Sequence, residues 1–364
     1  MLINPLDNHQ IKLAMAGCQH QASLVFGGLK VLVHTNEKPL LDELKDYYKS
    51  YLIAGETTKT INVYAIHQQA VEDSLDWLDV PREAGKQGKK EGYLDSTAGR
   101  WIKKFKTGML MLQRQRDPVV VGPCLDNLAQ IINFVNNQFI NTYLRQDCLL
   151  GHASGFCIDG DVTAIAAGSG GGKSTLMLRC LEDSRRQFLT NDRLLMQVAD
   201  QQVNAIGVAK LPRVNPGTLL HSHQERLKHI LPDDQQVAVQ VLTQQELWVL
   251  EQKYDVQIEE EYGPGRVTLT GKLKNLIMLD WTLNDAQPTQ LNLVDLKQEP
   301  DAIEGLRKRP GPFYQDDEGD FKALTECDSV EKYCAALQSV LVYRLSGRID
   351  FDKAFELIAE LDKS

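Results

Sequence analysis

The apolar positions of the first 145 residues follow strand and helix periodicities that predict a small mixed α/β domain. Alternating apolar residues over 22–35 predict two short strands around a Gly-Gly turn, and 38–53 has the spacing of an amphipathic helix. The polar, glycine-containing segment 80–95 predicts a long loop, and 101–115 predicts a hairpin across a Lys-Thr-Gly turn. Residues 125–146 predict an amphipathic helix of about six turns, which we take as the end of this domain.

The remaining residues, 146–364, predict a second α/β domain. The apolar runs on either side of Asp159-Gly160-Asp161 predict a hairpin, whose second strand leads directly into a run of glycines. Residues 275–281 predict a further strand, and the tail over 329–347 and 350–363 predicts helices. The predicted architecture is therefore α/β, with an N-terminal domain (1–145) of unknown role and a C-terminal domain (146–364) that carries the glycine run.

Composition restricts the classes of function. The 364 residues are 43% hydrophobic and 24% charged, which is typical of a globular protein with a large core, here divided into two domains. A formal net charge of −9 disfavours nucleic acid and anionic membranes as partners. No stretch approaches the roughly 18 apolar residues of a spanning helix, and the first residues lack a leader pattern, so we expect a cytoplasmic location of bacterial type. The seven scattered cysteines indicate neither disulfides nor zinc.

Residues 164–180, AIAAGSGGGKSTLMLRC, predict a phosphate-binding P-loop between a strand and a helix. Glycines turn successive N–H groups toward phosphate oxygens, the helix adds its positive N-terminal end, and Lys173 reaches the outer phosphates. A flexible Gly/Ser turn is the alternative, although it requires neither the strand before it nor the helix after it. Ser174 is predicted to hold Mg²⁺. The predicted ATP ligands are Gly168, Ser169, Gly170, Gly171, Gly172, Lys173, Ser174, Thr175 and Lys210.

Asp192 and His152 are the predicted acid–base groups. Asp192 follows an apolar strand within 185–198, where a parallel sheet would present a carboxylate beside the phosphates. It would ligate Mg²⁺ or take the proton from an attacking hydroxyl; the alternative is a turn residue that ends the strand. His152 precedes the predicted hairpin and would approach the phosphates from the neighbouring strand; the alternative is an ordinary polar side chain.

Two further segments carry cations. Lys210 and Arg213 lie in KLPRVNPGTLL (210–220), where prolines and a glycine predict a shaped loop. These cations would neutralise the γ-phosphoryl group or hold an acidic substrate, or they form a solvated basic turn. Arg266 lies beside Gly-Pro-Gly, which predicts either a loop that closes over phosphates or a plain hairpin connection.

Three motifs carry a resemblance to a known family. Gly151-His152 with Gly155, GSGGGKS (168–174) and TNDRLL (190–195) resemble, in order and spacing, the HPr kinase/phosphorylase family, and most closely the group called HprK-related kinase B. For that group 210–220 looks like a further signature. The resemblance implies a fold related to phosphoenolpyruvate carboxykinase, ATP in the glycine loop, Mg²⁺ beside it and self-association. It implies that Lys173 binds phosphate, Ser174 ligates Mg²⁺, and His152 and Asp192 have acid–base or metal-linked roles.

The chain departs from that family in two ways. Asn191-Asp192 stands where the family has two aspartates, and a second family signature is absent, which weakens HPr as the acceptor and the reverse reaction. We expect an ATP- and Mg²⁺-dependent kinase that phosphorylates a hydroxyl of a protein or small molecule. In this mechanism Asp192, with or without His152, deprotonates the hydroxyl while Lys173, Arg213 and Mg²⁺ stabilise the transferring group. The alternatives are an ATP-binding regulatory or assembly protein with little or no phosphotransfer, and carboxykinase-like chemistry.

Overall fold

The computed structural model describes residues 7–52, 57–70, 74–81, 88–168, 170–250 and 252–363. The chain forms two compact units. The first comprises Met1–Gln146 together with Arg309–Cys327, and the second comprises Asp147–Lys308 together with Asp328–Ser364. The described residues contain no helix that combines the length and the apolarity needed to cross a membrane.

The first unit is a mixed sheet with helices. Among the described residues its helices are α1 (Asn8–Ala16), α2 (Lys38–Tyr48) and α3 (Leu128–Leu144). Its strands are β1 (His20–Phe26), β2 (Leu29–Thr35), β3 (Lys59–His67), β4 (Leu78–Asp79), β5 (Glu91–Ser96), β6 (Gly99–Lys104), β7 (Met109–Gln113) and β8 (Val119–Gly122). The strand order is β1-β2-β3-β8-β7-β6-β5-β4, with parallel pairing only of β2 with β3 and of β3 with β8.

The core of the first unit lies where α2 and α3 meet the sheet. The ring of Tyr48 on α2 packs edge-on against Phe26 of β1, and Phe26 also contacts Phe139 of α3. The buried Tyr48 hydroxyl donates a hydrogen bond to Asn136 Oδ1 on α3 at 3.0 Å, so that its polar end is satisfied inside the core. The predicted helices and hairpins of this region are present. The helix α2 buries one face, as its periodicity requires, whereas the middle of α3 and the whole of β7 are buried on every side.

Among the described residues, the second unit contains a nine-stranded mixed sheet and a separate sheet of two short strands. Its described strands are β9 (Leu149–Gly151), β10 (Ala153–Ile158), β11 (Asp161–Ala166), β12 (Gln187–Thr190), β13 (Leu194–Ala199), β14 (Gln202–Gly207), β15 (Arg213–Val214), β16 (Tyr254–Asp255), β17 (Thr270–Thr282), β18 (Gln290–Leu293) and β19 (Leu341–Arg348). Its helices are α4 (Lys173–Cys180), α5 (Pro216–Leu220), α6 (Asp233–Gln240), α7 (Gln244–Val249), α8 (Ile258–Tyr262), α9 (Val330–Ala336) and α10 (Phe351–Leu361). The main strand order is β12-β10-β11-β17-β14-β13-β9, with β19 beside β17 and β18 beside β19.

Strand register brings three loops to one edge of this sheet. Because β10 is antiparallel to both β11 and β12, the ends of β11 and β12 lie beside the start of β10, with Ala166 opposite Ala153 and Thr190 opposite Gly155. The pairing of β9 with β13 places Gly151 opposite Leu194. The residue between β9 and β10 is therefore close to the residues between β12 and β13 and to the loop that follows β11.

The structure corrects two sequence predictions and adds one detail of strand pairing. Residues 91–95, expected in a loop, belong to β5, because pairing with β6 satisfies their backbone groups; residues 82–87 of the same predicted loop lie outside the described part of the chain. Residues 341–347, expected to be helical, form β19, since a short apolar run does not distinguish a buried strand from a helix. The strand before Asp192 does not pair directly with the strand before the glycines, because antiparallel β10 lies between them.

Candidate functional site

The glycine-rich loop joins the end of β11 to the start of α4. Gly170 and Gly172 have φ angles of 79° and 87°, in the left-handed region that glycine adopts without steric cost. A Cβ atom built on Gly168 or Gly170 would meet no other atom within 4 Å. Gly170, Gly171 and Gly172 line an open cavity, whereas Gly168 does not. Ser169, predicted to bind phosphate, lies outside the described residues.

Lys173, the first residue of α4, folds back over this loop. Its Nζ atom donates hydrogen bonds to the carbonyl oxygens of Ala167 and Gly168, each at 3.0 Å, and the residue is buried. A buried ammonium group requires such oxygen partners. An anion in the open loop would offer stronger, charge-assisted partners to the same Nζ atom.

Asn191 is the centre of a hydroxyl cluster beside the loop. Its buried Oδ1 atom accepts a hydrogen bond from Ser174 Oγ at 2.7 Å and another from Ser154 Oγ at 2.8 Å. The sequence analysis treated Asn191 only as a missing carboxylate. The structure places it as a neutral hydrogen-bond acceptor that connects the start of α4 to the end of β12. The sequence signal for this role of Asn191 is its position directly after an apolar strand and next to Asp192.

Asp192 adopts a left-handed backbone conformation with φ 73°, a strained state that aspartate tolerates better than most residues. Its Oδ1 atom lies 3.2 Å from His152 Nε2 and 3.7 Å from Lys308 Nζ, and its Oδ2 atom lies 3.8 Å from Arg193 Nε. Burial raises the pKa of this carboxyl, but the His152 hydrogen bond and the charges of Lys308 and Arg193 outweigh it, so the pKa lies well below its usual range. Asp192 is therefore ionised at neutral pH.

His152 is held neutral beside this carboxylate. Burial lowers its pKa, the hydrogen bond to Asp192 opposes that shift, and the charges of Lys308 and Lys173 lower the pKa further. A neutral imidazole that hydrogen-bonds an ionised carboxylate through Nε2 carries its proton on that atom. The backbone N–H of His152 donates to the Leu306 carbonyl oxygen at 2.6 Å, which ties the residue to a segment from later in the chain.

That later segment, 303–308, packs behind His152 and the glycine-rich loop and had no predicted role in the site. A Cβ atom on Gly305 would lie 3.2 Å from the carbonyl carbon of Ala167, so glycine permits the close approach of this segment to the start of the glycine-rich loop. Gly151 also forms an isolated antiparallel bridge with Arg307. This packing brings Lys308 to Asp192.

Two cations lie on the loop 210–215. Lys210 has its pKa lowered to about 8, because burial and the charge of Arg193 disfavour its ammonium form. Arg213 begins β15, and its Nε atom lies 3.0 Å from Asp255 Oδ1 on the paired strand β16. The shaped loop expected here thus includes a two-residue strand, and it is followed at once by α5.

These groups share a cavity of about 480 Å³ in the second unit. The sequence-predicted site residues that line it are His152, Gly170, Gly171, Gly172, Lys173, Ser174, Thr175, Asp192, Lys210 and Arg213. Its walls also include Asn191, Asn215 and two aromatic residues that the sequence analysis missed. The rings of Trp248 and Phe351 would lie 3.5 Å and 3.4 Å from a Cβ atom on Gly172, so an apolar surface flanks the glycine-rich loop.

Arg266 does not line this cavity. Its guanidinium group donates hydrogen bonds to the backbone carbonyl oxygens of Arg186, Leu181, Asp183 and Tyr262, at distances of 2.7–3.0 Å. Four backbone acceptors account for a buried guanidinium without any ligand. Arg266 therefore anchors its own segment, and of the two alternatives for this segment the structure does not support the loop that closes over phosphates.

The donor atoms fit Mg²⁺ better than a transition metal. The described residues contain no group of three or more His, Cys, Asp or Glu side chains arranged to hold a metal ion. Mg²⁺ does not require such a cage, because it is commonly bound by one or two protein oxygens together with phosphate oxygens and water. Ser174 Oγ and Asn191 Oδ1, 2.7 Å apart at the open loop, are oxygen donors of this kind.

Comparisons with known proteins add little information about the function of this site. No protein-family model matches the chain, and no curated protein matches it. Among solved structures, one similar chain is described as the HPr(Ser) kinase/phosphatase from Coxiella burnetii. It has 10% sequence identity and a TM-score of 0.30, over 58% of this chain and 90% of that one. At this level of similarity, information about function comes from the residues of the site itself.

Proposed function

We propose that the chain is an ATP- and Mg²⁺-dependent phosphotransferase that transfers the γ-phosphate of ATP to a hydroxyl group. One arrangement carries this proposal. An open glycine-rich loop that begins a helix at Lys173 and Ser174 lies, through Asn191, beside an ionised Asp192 that is hydrogen-bonded to a neutral His152. A phosphate cradle next to a positioned carboxylate is what phosphoryl transfer to a hydroxyl requires. The motif resemblance to HPr kinases agrees with it.

The loop and α4 would bind the triphosphate. Backbone N–H groups of the loop, the positive end of α4 and the Lys173 ammonium group supply the donors. Trp248 and Phe351, on the cavity wall next to Gly172, offer an apolar surface for the nucleoside. Ser174 and Asn191 would hold Mg²⁺, with Asp192 in reach of the same ion. When bound, Mg²⁺ neutralises charge on the phosphate oxygens.

Asp192 would accept the proton of the acceptor. As the acceptor oxygen bonds to the γ-phosphorus and the bond to the β-phosphate oxygen breaks, the hydroxyl proton passes to Asp192 and ADP leaves. A carboxylate of low pKa is a weak base, and this suits a loose transition state in which the proton is transferred late. His152 would orient the carboxylate through its Nε2–H group, and the Lys173 ammonium would stabilise the charge on the transferring group.

One observation favours the second candidate, a nucleotide-operated switch without phosphotransfer. Thr175 on α4 and Thr218 on α5 are joined by a hydroxyl hydrogen bond of 2.7 Å, which links the helix of the glycine-rich loop directly to the loop 210–215 and α5. Nucleotide binding at α4 would shift this contact. Asn191, in the place of an acid, also fits a site that binds ATP and reacts slowly.

Incubation with γ-labelled ATP and Mg²⁺, together with fractionated metabolites and proteins of the native host, tests the proposal. We expect labelled product with the wild-type chain and labelling slower by about a hundredfold or more with Asp192→Asn, which retains the left-handed backbone and the size of the side chain. ATP binding without product or hydrolysis in every fraction would overturn phosphotransfer in favour of the switch. Absence of ATP binding would overturn both.

A further inference from the structure

We propose that the phosphate acceptor carries an anionic group of its own, a phosphate or a carboxylate, which Lys210 and Arg213 bind at the cavity wall beside Asp192. This inference rests on the proposed phosphotransfer and specifies its substrate class. It also selects between the two roles that the sequence left open for these cations, neutralising the γ-phosphoryl group or holding an acidic substrate.

The charge around Asp192 is the first observation. Arg193 and Lys308 form ion pairs with the Asp192 carboxylate. Lys210 and Arg213, the latter paired with Asp255, line the same cavity as Asp192. This local excess of positive charge occurs in a chain whose formal net charge is −9. A concave, partly desolvated surface with an excess of one charge concentrates ligands of the opposite charge. The ligand expected at this part of the cavity is an anion.

The neighbours of Lys210 indicate that the anion it binds is not the triphosphate. Lys210 lines the cavity together with Asp192, and the charges that shift its pKa are those of Arg193, Asp192, Arg213 and Asp255, so Lys210 belongs with the proposed proton acceptor. The glycine-rich loop has its own ammonium group, Lys173, held within hydrogen-bond distance of its carbonyl oxygens. A group beside Asp192 contacts the molecule that gives up its proton to Asp192, and that molecule is the acceptor.

Burial of Lys210 supports an anion-binding role. An ammonium group with a pKa of about 8 has lost hydration that an anionic ligand would replace, so binding of an anion stabilises its charged form and raises its pKa. Arg213 is half-exposed and faces Asp255, and its planar fork can hold a second oxyanion bidentately. These two side chains differ in burial, with Lys210 partly buried and Arg213 half-exposed, and both line the same cavity.

A buried acceptor atom nearby indicates a ligand with a hydroxyl or amine donor. Asn215 Oδ1 is buried and has no hydrogen-bond partner among the described residues, and Asn215 lines the cavity with Lys210 and Arg213. Leaving such an oxygen unpaired costs about 1–3 kcal/mol, which a donor from a bound molecule would offset. A hydroxyl compound that bears an acidic group provides both the anion and the donor.

Anion binding to the nucleotide-loaded protein tests the inference. The protein is saturated with Mg²⁺ and the ATP analogue AMP-PNP, which occupies the glycine-rich loop, and sulfate or acetate is then titrated calorimetrically. We expect binding of at least one of the two, weakened about tenfold or more in Lys210→Met and in Arg213→Gln, because each removes a charge-assisted contact. Sulfate preference indicates a phosphorylated acceptor, and acetate preference indicates a carboxylated one. Lys332→Met, which removes a surface cation paired with Asp328, is the matched control and should bind as wild type.

The pH profile adds a readout that a purely structural role would not move. Sulfate remains dianionic above neutral pH, so its affinity should fall as pH rises through the Lys210 pKa of about 8, and this fall should be absent in Lys210→Met. Normal AMP-PNP affinity without binding of either anion, or equal weakening of AMP-PNP binding in both variants, would assign these cations to the triphosphate and overturn the inference. Failure of AMP-PNP to bind wild type would instead overturn the proposed function.

Discussion

Asn191 Oδ1 accepts a hydrogen bond from Ser174 Oγ, with 2.7 Å between the two oxygen atoms, and this contact joins the start of α4 to the loop that carries Asp192. A neutral amide thus holds the position next to the phosphate cradle where the motif resemblance implied a second carboxylate. Because the amide oxygen accepts two hydroxyl hydrogens, Ser174 and Ser154 are satisfied without a second negative charge beside Asp192.

The charge of residue 191 should set the Mg²⁺ requirement for ATP binding. Asn191→Asp should lower the Mg²⁺ concentration needed for half-maximal ATP binding, because a carboxylate is a stronger Mg²⁺ ligand than an amide oxygen. Asn191→Leu should raise that concentration and leave two hydroxyl groups without their acceptor. Titration of Mg²⁺ at fixed ATP measures both effects, and Ser154→Ala, which preserves the Ser174 contact, is the control. An unchanged Mg²⁺ requirement in Asn191→Asp would remove Asn191 from the metal site.

Lys173 is predicted to dominate nucleotide affinity. Lys173→Met should weaken ATP binding by about a hundredfold, or about 3 kcal/mol, because it removes a buried charge-assisted donor while keeping the apolar stem. Calorimetric titration measures this loss, with Lys332→Met as a variant of equal charge change. Wild-type affinity in Lys173→Met would contradict the assignment of the glycine-rich loop as a phosphate site.

Asp192→Asn should retain ATP affinity within a few-fold and reduce the rate of phosphotransfer by about a hundredfold or more, the size of a general-base contribution. Asparagine keeps the left-handed backbone, so loss of fold does not explain the effect. Circular dichroism verifies the fold, and single-turnover kinetics measure the chemical step. Retained turnover would move the proton acceptor to another group, with His152 the next candidate.

Stability should fall in acid partly through His152. The folded protein holds the pKa of His152 below 6.5, so the unfolded chain binds more protons, and stability decreases as pH falls through about 6.5. The depressed pKa of Asp192 acts in the same direction at lower pH, where its carboxylate becomes protonated. Urea unfolding midpoints between about pH 7.5 and 5 measure this dependence. His152→Gln should show a shallower decline than wild type, and an identical decline would exclude His152 as the source.

A buried ion pair holds the end of α10, the helix whose first residue lines the cavity. Arg186, which is fully buried, donates to Asp362 just after α10, the helix that begins at Phe351 on the cavity wall. Asp362→Asn should lower the free energy of unfolding by about 3–5 kcal/mol, because it leaves a buried guanidinium without its counter-charge. Chemical denaturation measures the loss. Asp352→Asn, on the exposed side of the same helix, should cost less than about 1 kcal/mol, and equal losses would contradict this account.

Local sequence patterns determined much of the fold. Alternation and turn residues identified the β1–β2, β6–β7 and β10–β11 hairpins, and helical periodicity identified α2, α3 and α10. These elements are defined by residues close in sequence, so a single chain segment contains the whole signal. The helix predicted over the apolar run of β19 is wrong, because that run forms a strand by pairing with β17 and β18, which are distant in sequence.

In the candidate site, too, some features follow from local sequence and others depend on tertiary structure. The glycine-rich loop, Lys173 and Ser174 are recognisable from spacing alone, because one strand, one turn and one helix build them. The approach of His152 to Asp192 depends on an antiparallel strand between β11 and β12, and Lys308 arrives from a segment that packs on the loop through Gly305. Sequence determined which groups bear the chemistry. Tertiary structure decided their charge states and partners, because burial and long-range register set the electrostatic environment of each group.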